Sequence, residues 1–144
     1  MAELLNAKTA MSVVRTVRTW LNTSPALPAG MTFSFEDMAE DASGLAFTTE
    51  QAAVYADRYI GGGYKGEYRF RVIYRVQPSD DGDMLDAVEA LTDICAWCET
   101  AKPPALGGAV NTKIRRTSDV AVMAVYEDGS TDYSASLIFS WEVF

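Results

Sequence analysis

Between Tyr68 and Val76 the chain alternates with period two. Tyr68, Phe70, Val72, Tyr74 and Val76 fall on one side of an extended segment, and Arg69, Arg71, Ile73 and Arg75 on the other. A pairing slip of one residue would turn three arginines into the core, so the pattern fixes both the strand and its register. A strand with one apolar and one charged face belongs to a sheet that is covered on one side and wet on the other, as antiparallel sheets commonly are.

The cover is legible too. From Ala2 to Asn22, residues Leu4, Ala7, Met11, Val14, Val17 and Leu21 recur every three or four positions, which predicts a helix of about five turns. Asn22-Thr23-Ser24-Pro25 ends it, because proline cannot donate and pushes its predecessor out of the α region. A second helix is predicted to run to about Ala101, with Met84, Ala87, Val88, Leu91, Ile94, Cys95 and Cys98 on one face and Trp97 on its flank. Asp80, Asp81 and Asp83 suit its positive end, and Lys102-Pro103-Pro104 terminates it.

Further strands are predicted where Met31, Phe33 and Phe35 alternate, around Leu45 and Phe47, and from Thr112 to Thr117. A mostly apolar strand is expected from Ser118 to Tyr126, and a final alternating one carries Tyr133, Ala135, Leu137, Phe139, Trp141 and Val143, with Ile138 out of phase. From Gln51 to Tyr59 the alternation favours strand over helix. Gly61-Gly62-Gly63 breaks the chain before the arginine-bearing strand, and Asp128-Gly129 supplies a hairpin turn. The order predicts an α+β fold, a mainly antiparallel sheet with two amphipathic helices packed on one face, over residues 1–144 as one domain. At 144 residues, 49% hydrophobic, such a chain buries roughly 68–70% of its unfolded surface without help from metal or disulfide.

Composition removes several chemistries. There is no histidine and there are two cysteines, so neither a Ser-His-Asp nor a Cys-His arrangement, a His-containing metal site or a four-cysteine zinc site can be built. No apolar run approaches the ~20 residues of a membrane span, and Met1 to Asn6 lacks the pattern of a secretory leader, so the chain is expected to stay in the cytoplasm where it is made. A net charge of −8 argues against a free-standing nucleic-acid binder.

Cys95-Ala96-Trp97-Cys98 has the spacing of thiol redox motifs, but it sits in the last turns of a predicted helix, where the dipole opposes a thiolate; the reading is a buried, inert pair. Gly61-Gly62-Gly63-Tyr64-Lys65-Gly66 lacks the Ser or Thr after lysine, and the following helix, of a phosphate loop. Glu36, Asp37, Glu40 and Asp41 lack the ligand spacing of a calcium loop and read as a solvated loop. The expectation is therefore no catalytic residue, no metal and no cofactor. Arg69, Arg71 and Arg75, with Arg115 and Arg116 on a nearby strand, predict a positive stripe on an acidic molecule. Two readings stay open: a solvated sheet face, or an interface with an acidic patch on another copy. The loop Gly61, Gly62 and Gly63 is a candidate docking element beside it.

Arg58-Tyr59-Ile60-Gly61-Gly62-Gly63-Tyr64-Lys65-Gly66, with Phe70 and Tyr74-Arg75 after it, resembles the tail terminator and minor capsid proteins of long-tailed, siphovirus-like bacteriophages. The likeness continues through the Trp97 helix, Ile114-Arg115-Arg116-Thr117, Glu127-Asp128-Gly129 and Asp132-Tyr133, from about Ala52 to Val143, and its specificity lies in the order of short motifs. It implies a structural, non-enzymatic subunit of the virion that assembles as a homo-oligomeric ring, usually a hexamer, on the head-proximal end of the tail tube. The implied partners are the tube protein, the head-side connector and DNA passing through the lumen without specific binding, with no membrane. The competing expectations are a head-side connector or head completion protein and, more remotely, a cytoplasmic thiol redox or small-ligand-binding domain.

Overall fold

A computed structural model describes residues 7–28, 30–36, 43–77 and 84–144. Its elements are α1 (Ala7–Leu21), β1 (Phe33–Phe35), β2 (Gly44–Arg58), β3 (Tyr64–Val76), α2 (Met84–Thr100), β4 (Val110–Arg116), β5 (Ala121–Val125) and β6 (Thr131–Val143). The fold is α+β. One six-stranded sheet has the order β1-β2-β3-β6-β4, and β5 continues the β4 edge by pairing the first part of β6. β1 runs parallel to β2; every other pair is antiparallel.

β6 is the axis of the sheet. It pairs β3 along its whole length, Tyr64 opposite Val143 through Val76 opposite Thr131. Tyr133, Ala135, Leu137, Phe139 and Trp141 on β6, and Tyr68, Phe70 and Val72 on β3, point to one side and are buried there. Both helices close that side. Val13, Val14, Val17 and Leu21 of α1, and Ala87, Leu91, Ile94, Cys95 and Cys98 of α2, join the strand residues in a single core cluster. Trp20 of α1 stacks on Trp97 of α2 with ring centroids 4.5 Å apart, and its indole N–H donates to the Lys102 carbonyl. The first turn expected for α1, residues 2–6, and the side chains of Ala7 and Met11 lie outside the described part, as do Asp80, Asp81 and Asp83.

α1 stops where proline was expected to stop it: the Thr23 and Ser24 amides turn back onto the Trp20 and Leu21 carbonyls. Asn22 then pairs with both backbone groups of Phe33, accepting from its N–H at 2.6 Å and donating to its carbonyl at 3.3 Å. A side chain thereby caps the outer edge of β1, as a further strand would.

Three strand boundaries differ from expectation. The segment around Leu45 and Phe47 and the segment from Gln51 to Tyr59 form one strand, β2, which ends at Arg58; its pairing is regular through Thr49 and shifts register from there on. β4 begins earlier, at Val110, with Asn111 at φ 53° inside the register shift between Val110 and Lys113. The apolar strand expected from Ser118 contracts to five residues, because the Ser118 hydroxyl rather than a backbone carbonyl takes the Ser136 N–H at 2.9 Å. Polar side chains that can stand in for the backbone end ladders in this way.

Candidate interaction surface

The residues singled out by sequence are held by two hairpins and one edge. The β2–β3 turn is closed by the Tyr59 N–H on the Gly63 carbonyl and the Gly62 N–H on the Tyr59 carbonyl. Gly62 sits at φ +98°, a conformation that side chains rarely adopt, and a methyl group on Gly63 would run into the carbonyl oxygen of Val143. Gly66, further along, leaves the space in which the Trp141 indole lies. Three of the four glycines in the motif therefore serve the hairpin and its packing. The turn leads into a strand rather than a helix, so it delivers no helix N-terminus to a phosphate. Its tip presents a fully exposed Ile60, beside the stacked rings of Tyr59 and Phe144.

The arginines do not form a bare stripe. Arg69, Arg71 and Arg75 share the helix-free face, and Arg115, opposite Ile138, joins them. Arg116, paired with Leu137, points to the other face and binds Glu99 of α2 at 3.2 Å. The expected common stripe is thus corrected: Arg116 ties a strand to the helix above it. The parity was available in the sequence, since Ile114 is apolar and Arg116 is two residues on.

Most of the remaining positive charge is answered inside the chain. Arg69 meets Glu67 at 3.4 Å and Arg71 meets Glu50 at 3.3 Å, both pairs partly open to water. Glu50 also accepts from the Ser136 hydroxyl. Arg75 is different in kind. It holds both carboxylate oxygens of its cross-strand partner Asp132, Nε to Oδ1 at 2.7 Å and Nη2 to Oδ2 at 2.9 Å. Asp132 is 2% exposed, and the Tyr126 hydroxyl donates to it at 2.7 Å while the Arg75 guanidinium also lies over the Tyr126 ring. The hydrogen bond to Asp132 raises the Arg75 pKa further, and that same carboxylate raises the Tyr126 hydroxyl above its ordinary value. This is a lock between β3, β6 and the β5–β6 turn, and sequence reading missed it. An Asp at the start of a strand whose next nine residues are apolar or hydroxyl-bearing was its only signal.

Among the described residues Lys113 and Arg115, both on β4, have no carboxylate within ion-pair distance. Next to them on the same edge, β5 is apolar yet open: Val122 is 56% and Val125 68% exposed, with Met123 and Tyr126 also exposed. The Arg71 guanidinium reaches the Met123 sulfur at 3.4 Å, so the Met123 side chain extends over the charged face.

Cys95 and Cys98 are buried reduced thiols under α2. Burial pushes Cys95 up to about 12 and Cys98 higher still, which withholds the thiolate that redox chemistry needs. Among the described residues no group of three or more Cys, Asp or Glu side chains is placed to hold a metal ion. Of the acidic cluster, Glu36 is exposed and accepts from Thr48 at 3.0 Å, whereas Asp37, Glu40 and Asp41 lie outside the described residues. No described helix is long and apolar enough to cross a membrane. The sequence matches no protein-family model and no curated protein sequence.

Proposed function

We propose that this protein is a phage structural subunit that forms a ring on the head-proximal end of a tail tube, ends tube growth and offers the surface for head–tail joining. The observation that carries the reading is β5, an apolar strand left in water on an open sheet edge, in a subunit whose other apolar strands are covered. Exposed apolar edges are hazards in a solitary protein and assets in one that assembles. The order of short motifs from Arg58 to Asp132-Tyr133 supports the same assignment.

Capping on this reading is physical rather than chemical. One ring face matches the last tube ring, the other does not, and polymerisation stops. An acidic subunit suits a lumen through which DNA passes without being held. The test is electron microscopy of particles assembled in cells with this protein omitted from the phage. Overlong headless tubes are expected. Tails of normal length that fail to join heads would reassign the protein to the head-side connector, and normal infectious particles would remove it from the virion.

A further inference from the structure

The two edges of the sheet carry opposite charge. Along β1, Glu36 after it and β2, the described charged residues at one edge are the acidic Glu36, Glu50 and Asp57, and only Arg58, which ends β2, is basic. Between Val110 and Ser118 every charged residue is basic, namely Lys113, Arg115 and Arg116, and this stretch builds β4 at the other. Arg116 is taken by Glu99, which leaves Lys113 and Arg115 pointing from the helix-free face. Glu36, at the far edge, lies on that same side and is exposed, whereas the Glu50 carboxylate reaches inward across β3. Glu36 holds Thr48, and Glu50 holds Arg71 and Ser136.

We infer that the β4–β5 edge of one copy docks against the β1–β2 edge of the next, with Lys113 and Arg115 facing Glu36. The occupant is a second copy because one sheet supplies both halves of the complement. The two halves sit on opposite edges, so a subunit cannot satisfy itself and the contact runs head to tail. Val122 and Val125, opposite Tyr133 and Thr131, lie on the same edge but on the helix side of it, so the edge offers apolar side chains on one face and charge on the other. β1 covers β2 only at residues 45–47, and Asn22 blocks β1 at Phe33, so the incoming edge meets a partly closed margin. Charge, more than added strand pairing, sets the register there. That this contact closes into a ring rests on the function proposed above; the contact itself does not.

Zero-length carbodiimide coupling of a mixture of ordinary and ¹⁵N-labelled protein reads the contact directly, since Lys113 supplies the amine. The expected products are mixed-isotope peptides joining Lys113 to Glu36. Mixed peptides joining Lys113 to Glu127 or Asp128 would mean a two-fold edge pairing and would overturn the inference, as would mixed peptides without Lys113 or none at all. Sedimentation of Lys113→Glu/Arg115→Glu is expected to lose the associated species, and adding Glu36→Lys to regain it. Association unchanged by the first pair would also overturn it. Correct crosslinks in a protein whose omission leaves tails normal would keep the contact and discard the tail reading. Overgrown tubes with no Lys113 crosslink would do the reverse.

Discussion

β5 and β6 are the two arms of one hairpin, and β5 is the more apolar of the two, yet it is β6 that is buried. β6 has β3 on one side, β4 and β5 on the other and α2 above it, and Leu137 and Phe139 are wholly buried. β5 has β6 on one side and nothing described on the other, and Val125 keeps most of its surface in water. Side-chain type is therefore a poor guide to burial by itself. What decides is whether a strand lies inside the sheet and under the helices, and that is a property of topology.

The sharpest way to break this contrast is to truncate one residue in each arm. Phe139→Ala is expected to cost about 3–5 kcal/mol in urea unfolding, through lost transfer and cavity terms. Val125→Ser should change stability by no more than about 0.5 kcal/mol, its effect appearing instead in self-association. Equal costs in the two arms would mean that β5 is covered in solution. Comparable in size is Asp132→Ala, which strands Arg75 on the side of β6 away from the helices and should lose about 3–5 kcal/mol, because a charge left without its partner in a mostly enclosed site is costly.

Gly66→Ala asks how closely β3 and β6 are packed. The added methyl meets the Trp141 ring, and a loss of about 1–3 kcal/mol is expected, with a shift in tryptophan fluorescence as the ring moves. The pH dependence probes the roof over β6. Cys95 is raised from 9.0 to about 12 and Tyr68 from 10.0 to about 12, both chiefly by burial. Between those limits the folded chain keeps protons that the unfolded chain releases. Stability contributed by these groups is complete below pH 9 and falls as pH rises, by about 1.4 kcal/mol per pH unit for each group within its window. Denaturation midpoints measured from pH 8 to 11 check this; a flat profile would mean that the thiols and the phenol reach water. The smallest effect is expected on the wet face, where Glu67→Gln breaks an open pair with Arg69 and should cost about 0–1 kcal/mol by the same unfolding assay.

How much of this was legible depends on whether the information is local. The alternation in β3 and β6 gave register and face because each residue's side follows from parity alone, and the helical faces followed from spacing. Ile138 broke the rhythm of β6 and is nonetheless buried, in register between Arg69 and Arg115. The parallel seat of β1 on β2, the Asn22 cap and the Glu99 partner of Arg116 join residues far apart in sequence, and no periodicity encodes them. The arginine stripe was half legible for the same reason. Its face could be read from β3, but the carboxylates that answer Arg71 and Arg75 come from β2 and β6.

The position of β6 in the sheet has a consequence for how the chain acquires its structure. β2 and β3 are joined by a short turn and can zip as soon as both exist. β4 and β5 take their ladders from β6 alone, and the whole of β3 waits on that strand for its second ladder. On the ribosome, five strands, including the apolar β5, are thus made before the strand that organises three of them. Nascent or slowly folding chains pass through a state with a lone hairpin and unpaired apolar strands. Collapse is therefore expected to precede a later, rate-limiting insertion of β6, with loop closure across α2 as its entropic barrier.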